Sequence, residues 1–406
     1  MQCQPLKDKR GLIYVTLMSF VVRFYLAWVS TRIEGNYPPM PEYLEPYQDY
    51  KHLYLNDVKR FLEGQMLYKD FHSAYPPLWM YTISAAVKFN PVYWGAAVPL
   101  IIFDTLIPSV TYLIARRLVN ERWSIIIGLV TALAPAALWY NSLLWLNPPP
   151  STFFLLLSTY LLLSRKVKSS AITFAFAALY KQTVLAAQPI LLVSVYRLLS
   201  KRDLVLFIVV FAALICLVSM PYLALFPSLY LWALGFPGIP TPPPYAPEDL
   251  TVWEYNITKP TNLGTIFGVL GAPWLAIFLR QNLIYLISAG FIAFTALFLR
   301  LKSLNDETII RYLLYSQLLF ILLFPRGTYK YFYTTALPYF ALGCRKKGDI
   351  VTFIAVNIGI LLVPRFFEPW FALVVILLAY SMSKENAARW MLSTTNPSSR
   401  ARGVNE

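Results

Sequence analysis

The sequence predicts an all-α polytopic membrane protein, a transmembrane bundle of about 11–13 helices. Hydrophobic residues make up 58% of the chain and charged residues 14%, whereas soluble domains carry about 25% charged residues. Apolar segments recur along the whole chain, and short clusters of Lys and Arg separate them. We therefore expect the apolar surface to face lipid and the basic clusters to mark cytoplasmic connections.

The charge and the cysteines exclude two other classes. The formal net charge is +15, but its distribution between apolar segments argues against a nucleic-acid partner. Cys3, Cys216 and Cys344 are few and irregularly spaced, so neither a disulfide framework nor a metal site is predicted.

The first span is predicted from Gly11 to Ser30, after Lys7, Lys9 and Arg10. It reads as an uncleaved anchor that leaves the N-terminus in the cytoplasm. Arg23 within it is costly in lipid, so we expect it to face the bundle interior or to extend toward the interface.

The loop 31–76 that follows is expected to lie outside. Its apolar residues from Tyr50 recur at spacings of three and four, which predicts a helix lying along the outer leaflet, and Gly64 is a helix stop. The residues on this predicted face are Tyr50, Leu53, Tyr54, Val58, Phe61 and Leu62.

The rest of residues 1–383 is predicted as one transmembrane domain with a second outer loop, 226–281, and a basic cytoplasmic tail, 384–406. Leu78 to Phe89 is too short to cross and is interpreted as a partial or re-entrant helix. Within the second loop, the segment Leu263 to Leu279 is interrupted by Gly and Pro and is expected to be re-entrant or amphipathic. The connections expected in the cytoplasm are Arg116-Arg117 with Arg122, Arg165 to Lys168, Arg197 with Lys201 and Arg202, Arg300 with Lys302, and Arg345 to Lys347.

Common catalytic motifs are missing from the sequence. No Walker loop, dinucleotide fingerprint, zinc spacing or nucleophile elbow occurs, and His52 and His72 are the only histidines. This argues against nucleotide-driven and zinc-dependent mechanisms.

The first outer loop nevertheless resembles that of a known superfamily. Asp49-Tyr50, a helix ending at Gly64, Leu67 to Phe71 and Tyr75-Pro76-Pro77-Leu78 are similar to the first outer loop of the GT-C glycosyltransferases, particularly relatives of dolichyl-phosphate-mannose protein mannosyltransferases and bacterial aminoarabinose transferases. Where that family often has an acid after the fourth span, this chain has Asn147-Pro148-Pro149-Pro150. Further similar positions are Asp104, Tyr180-Lys181-Gln182, Arg326, Tyr331, Tyr333 and Pro338.

The resemblance implies an inverting transferase that moves mannose or another hexose from a polyprenyl-phosphate carrier to a lipid, glycan or protein acceptor. It implies reaction on the non-cytoplasmic face of the membrane, which we expect to be the cell membrane of a bacterium or archaeon rather than the endoplasmic reticulum. Asp49 would be the base that deprotonates or orients the acceptor hydroxyl. Asp49 is equally suited to cap the helix beginning at Tyr50. No cofactor is expected, since the lipid-linked sugar is a substrate, and metal dependence stays open.

Four residues are predicted to contact the donor: Lys181, Arg326, Lys330 and Tyr331. A cation at the outer end of a short helix suits the carrier phosphate, although Lys181 has the alternative of an ion pair with Asp104. Arg326 and Lys330 flank an outer turn rich in tyrosine, which also suits headgroup anchoring.

Three further residues of the first loop are candidates for the substrate site. Asp57 falls near the apolar face of the loop helix, while Asp70 and Tyr75 lie where the loop returns to the membrane. Asp70 has the alternative of being simply solvated.

Two other function classes fit the same composition. A transporter or flippase of lipid-linked sugars would be expected to show two related halves, and no second copy of the Asp49 to Leu78 pattern occurs. A noncatalytic subunit of a glycosylation complex would keep the fold without needing Asp49.

Overall fold

The computed structural model describes residues 9–33, 50, 54–92, 94–234, 262–324 and 327–395. Within these ranges the chain is helical and has no β-strand, apart from one isolated bridge between Leu67 and Phe71. The all-α multi-spanning fold is therefore confirmed, while the number of spans stays a prediction. Six described helical stretches are long and apolar enough to cross a membrane: Arg10–Arg32, Ala97–Leu118, Glu121–Leu143, Lys201–Leu225, Pro273–Leu299 and Arg365–Ser383.

The helices follow one another with short connections. In the first half they are α1 (Arg10–Ile33), α2 (Leu55–Leu62), α3 (Pro77–Phe89), α4 (Ala97–Leu118), α5 (Glu121–Ala132), α6 (Pro135–Ala137), α7 (Pro148–Leu163), α8 (Val167–Tyr180), α9 (Gln188–Leu198) and α10 (Lys201–Leu225). In the second half they are α11 (Pro227–Ala233), α12 (Thr265–Val269), α13 (Pro273–Leu299), α14 (Asp306–Leu323), α15 (Tyr333–Ala341), α16 (Lys347–Leu362) and α17 (Glu368–Thr395).

Helix α1 packs antiparallel against α4 through a column of polar side chains. Thr16 Oγ1 lies 2.8 Å from Ser109 Oγ, and Ser19 Oγ donates to the Thr105 carbonyl at 2.8 Å. Large apolar residues on the other faces of α1 are exposed, as expected for a helix that contacts lipid. Arg23 is fully buried in the bundle, which decides between the two orientations predicted for it.

Gly64 ends helix α2 as predicted. Its φ of +87° is left-handed, a conformation that glycine adopts without the cost of a Cβ. Gly64 N donates to the Phe61 carbonyl and Gln65 N donates to the Arg60 carbonyl, which is the Schellman pair of bonds. Of the predicted apolar face, Tyr50, Tyr54 and Val58 are buried.

The short helix α3 stays at one end of the bundle. Its Thr82 Oγ1 lies 2.9 Å from the Tyr180 hydroxyl at the end of α8, and α4 starts again near the same end. With 13 residues, α3 is shorter than the roughly 20 that a crossing needs. The structure thus agrees with the interpretation of this segment as a partial helix.

The predicted re-entrant segment Leu263 to Leu279 is wrong. The chain makes the five-residue helix α12, turns at Gly271 with φ +81°, and then continues without a break as α13 from Pro273. Pro273 stands at the first position of α13, where a missing N–H costs nothing because that position has no partner within the helix. The second loop therefore ends at residue 272 rather than 281.

The basic connections meet at one end of the bundle, which we call the basic end. Arg117 contacts Asp306 and the carbonyl of Leu163, and Arg165 donates to the carbonyl of Leu198. Arg197 in turn donates to the carbonyls of Leu299 and Lys302. The opposite end carries α2, α3 and the C-terminus of α8, and we call it the loop end.

At the C-terminus, α17 passes the predicted start of the basic tail. The candidate span ends at Ser383, as the sequence predicts. The helix itself continues to Thr395.

Candidate functional site

The site begins where the helical path from α5 to α7 is interrupted. Leu138–Leu143 forms a π-helical turn, a local widening that is frequent at functional sites. Trp145 then adopts a left-handed φ of +52°, which costs roughly 1–2 kcal/mol for a residue other than glycine. The surrounding contacts must hold this conformation in place.

Asn147 is the N-cap of α7 but cannot act as a cap. An N-cap side chain normally accepts from the backbone N–H two or three residues later. Those positions are Pro149 and Pro150, which have no N–H, and Asn147 accordingly makes no capping hydrogen bond. Its amide is therefore available for another partner.

That partner is Lys181, the residue that follows α8. Lys181 Nζ donates to Asn147 Oδ1 at 2.8 Å. The same ammonium lies 4.5 Å from the ring centroid of Tyr331 and 4.4 Å from that of Phe332, distances at which cation–π attraction operates. Lys181 is only 3% exposed, so it is more deeply enclosed than the sequence predicted.

The pair presents two donors to one region. With Oδ1 turned to Lys181, the Nδ2 of Asn147 is buried and has no hydrogen-bond partner within the described residues. A buried donor left in this state costs roughly 1–3 kcal/mol. An ammonium beside an unsatisfied amide N–H is suited to an oxyanion.

The alternative partner predicted for Lys181 is occupied elsewhere. Asp104 accepts from Arg23 Nε at 2.8 Å, from Asn141 Nδ2 at 3.1 Å and from Ser142 Oγ at 2.8 Å. The predicted Lys181–Asp104 ion pair is therefore wrong. Arg23 lies closer to Asp104 because α1 and α4 pack side by side along their length.

Trp145 connects this pair to the first loop. Its ring lies 4.8 Å from that of Tyr50, edge to face. Tyr50 in turn contacts Tyr54, which packs against Tyr75 and Trp79. The face of α2 thus rests on the segment that carries Asn147.

Tyr75 is buried in this aromatic group and lies near Lys181 along the chain surface. Its hydroxyl is 3.5 Å from that of Tyr54, and its carbonyl accepts from the Tyr68 hydroxyl at 2.5 Å. Gln182 Nε2, one residue after Lys181, donates to the carbonyl of Ala74 at 3.0 Å. The structure therefore brings together the neighbourhoods of Tyr75 and Lys181, which are far apart in sequence.

Asp57 lies half-buried on α2. Burial raises the pKa of its carboxyl from 3.8 to about 7, and the nearby Arg60 guanidinium opposes this shift. A carboxyl with a pKa near neutrality exchanges a proton readily at physiological pH.

Asp70 has a local structural role. Its Oδ2 accepts from Met66 N at 2.7 Å and its carbonyl accepts from Arg60 Nη2 at 2.9 Å. The side chain is exposed. These contacts close the turn 66–70, and its predicted contact with substrate stays a prediction.

Tyr331 and Lys330 lie next to each other but face different groups. Tyr331 lies under the Lys181 ammonium, whereas Lys330 Nζ donates to the carbonyl of Leu361 at 3.0 Å. Lys330 is buried and interacts electrostatically with Glu368. We therefore keep Tyr331 in the candidate site and assign Lys330 to the packing of α15 against α17.

Two predicted site residues, Asp49 and Arg326, lie outside the described residues. Their roles stay predictions. Metal ligands were not predicted, and the described residues contain no group of three His, Cys, Asp or Glu side chains that could hold a metal ion.

The sequence analysis missed Asn147, Trp145 and Phe332. A signal for Asn147 was present, because an asparagine before three consecutive prolines has no N–H to cap. Trp145 and Phe332 gave no such signal, since aromatic residues are frequent throughout the chain. No protein-family model matches this chain, and no curated protein matches its sequence significantly.

Proposed function

We propose that the chain is a membrane glycosyltransferase that moves a sugar from a polyprenyl-phosphate donor to a hydroxyl-bearing acceptor on the non-cytoplasmic face. The observation that carries the proposal is the buried pair of Lys181 and Asn147, with its two donors at the loop end of the bundle. Buried cations within membrane bundles mark ligand sites more often than packing sites. The resemblance of the first outer loop to GT-C enzymes supplies the reaction class.

The proposed reaction is a single displacement. The acceptor oxygen attacks the anomeric carbon as its proton passes to the Asp49 carboxylate, and the bond from that carbon to the phosphate oxygen breaks. The polyprenyl phosphate leaves with the bonding electron pair. Lys181 Nζ and Asn147 Nδ2 would stabilise the charge that develops on this leaving group.

The second feature in support is the distribution of charge. The basic connections collect at the end opposite to Lys181, which is the arrangement that the positive-inside rule predicts for a site facing away from the cytoplasm. The acceptor and the identity of the sugar, with mannose as the expectation from resemblance, are questions for the assay.

Asn147→Asp tests the phosphate site with almost no change in shape. The new carboxylate would lie within hydrogen-bond distance of Lys181 and neutralise it, so we expect affinity for the carrier to fall by about tenfold to a hundredfold. Lys181→Met should have a similar effect because it removes the charge but keeps the length. Lys168→Met, an exposed lysine at the basic end, is the matched control.

The measurement is the binding of polyprenyl phosphate and the transfer of labelled sugar by purified protein. If Lys181 serves packing alone, Asn147→Asp should leave carrier affinity unchanged, since an ion pair would replace the hydrogen bond. Transfer by the parental protein also separates an enzyme from a flippase or a noncatalytic subunit.

A further inference from the structure

A lateral groove of about 570 Å³ opens between the C-terminal half of α1 and the start of α4. This volume lies within the roughly 300–1,000 Å³ of ligand pockets. Its floor is buried and consists of Ala27, Ile101 and Trp145. Large exposed aromatic side chains form its rims: Phe24, Trp28 and Trp94.

The groove has a direction. It follows α1 from Phe24 to Arg32, a length of about 12 Å at 1.5 Å per residue. Phe24 lies one residue from the buried Arg23–Asp104 pair, deep in the bundle, whereas Arg32 is exposed in the last turn of α1. The groove is therefore apolar at its deep end and cationic at its mouth.

The charge at the mouth favours an anionic amphiphile. The Arg32 guanidinium lies 5.5 Å from the ring centroid of Trp28, so the cation is held over the rim. An occupant with an apolar chain and a negative head group would place the chain along Phe24 and Trp28 and the head group near Arg32.

The floor of the groove continues into the candidate site. Trp145 forms the inner wall, and two residues later Asn147 accepts from Lys181. Ser30 Oγ donates to the Leu143 carbonyl at 2.6 Å, which ties the end of α1 to the start of this same segment. A head group at the mouth would thus lie beside the segment 143–147 that presents the Lys181 pair.

From this continuity we infer that the groove binds the phosphate-proximal isoprene units of the polyprenyl-phosphate carrier, with Trp145 separating the chain from the phosphate site. The identity of the lipid rests on the proposed function. The left-handed backbone of Trp145 is the strained element that sets its ring between the two compartments.

The experiment fills the groove from two sides. Ala27→Trp and Val98→Trp each place an indole in the groove, and Leu217→Trp adds the same side chain to the exposed surface of α10 as the control. Binding of polyprenyl phosphate to each purified full-length variant is measured by native mass spectrometry, with phosphatidylglycerol as a second anionic lipid. Arg32→Gln, an exposed change that leaves the groove open, covers the case in which a filled variant fails to fold.

We expect each filled variant to bind polyprenyl phosphate at least about tenfold more weakly, which corresponds to about 1.4 kcal/mol. Leu217→Trp should match the parental protein, and Arg32→Gln should bind a few-fold more weakly. Unchanged binding in the folded variants, or parental binding of phosphatidylglycerol as tight as that of polyprenyl phosphate, would overturn the inference. Absence of sugar transfer by the parental protein would instead overturn the proposed function, because the binding comparison does not depend on turnover.

Discussion

Arg23 Nε lies 2.8 Å from Asp104 Oδ2, and both side chains are only 1% exposed. Arg23 also donates to the Ala132 carbonyl, and Asn141 and Ser142 of the π-helical turn donate to Asp104. The pair therefore joins α1 and α4 to the segment that leads to Trp145 and Asn147.

Removing one member of this pair should destabilise the protein strongly. Arg23→Met or Asp104→Leu alone leaves a buried charge without its counter-charge, at a cost of roughly 3–5 kcal/mol. The double variant should unfold at a higher temperature than either single one, because no charge is left uncompensated. Thermal unfolding of detergent-purified protein measures this.

The control is Arg311→Gln, in an exposed pair with Glu307 one helical turn away. Such pairs contribute about 0.2–0.5 kcal/mol, so its unfolding temperature should hardly move. Single variants of the buried pair as stable as this control would show that Arg23 and Asp104 do not depend on each other.

Asp49→Asn decides whether Asp49 is the base. The change keeps the size and much of the capping capacity of the side chain but removes the proton acceptor, so transfer should fall by roughly two to four orders of magnitude in a folded protein. A helix cap alone would cost under about 1 kcal/mol and leave turnover nearly intact. Initial rates of transfer by monodisperse protein distinguish these outcomes, and a parental rate would direct attention to Asp57 and Asp70.

The raised pKa of Asp57 makes a prediction about pH. Its pKa is about 7 in the folded chain against an ordinary value of 3.8, so the fold favours the protonated form. The resulting stabilisation is complete below the ordinary value and is lost as pH rises through about 7. Since Asp57 is partly exposed and Arg60 opposes the shift, we expect a modest effect.

Asp57→Asn should remove this dependence. Between about pH 5 and pH 8, the unfolding temperature of the parental protein should drop by about 1 to 3 °C more than that of the variant. Parallel curves for the two proteins across this range would mean that Asp57 does not titrate there.

The membrane topology is testable with single cysteines. In a background in which Cys3, Cys216 and Cys344 are replaced by serine, we expect Glu63→Cys in the first loop and Thr251→Cys in the second to react with an impermeant reagent added outside. Lys168→Cys at the basic end should react only after the membrane is opened. Labelling of the two loop positions from opposite sides would contradict the predicted orientation.

Local features of this protein were readable from the sequence because they depend on neighbouring residues. The apolar composition requires a lipid-facing helical bundle, and the spacing from Tyr50 together with Gly64 predicts α2 and its end. The same local reasoning failed at Pro273, where a proline that reads as an interruption stands at the start of α13.

Only the tertiary structure decided which polar groups meet. Lys181 contacts Asn147, 34 positions away, and Arg23 contacts Asp104, 81 positions away; helix packing, which no local spacing encodes, brings these pairs together. The sequence shows that Asn147 has no N–H to cap, but not that α8 ends beside it. The groove at Trp145 likewise exists because small Ala27 faces α4 between larger rims, a consequence of how two helices lie against each other.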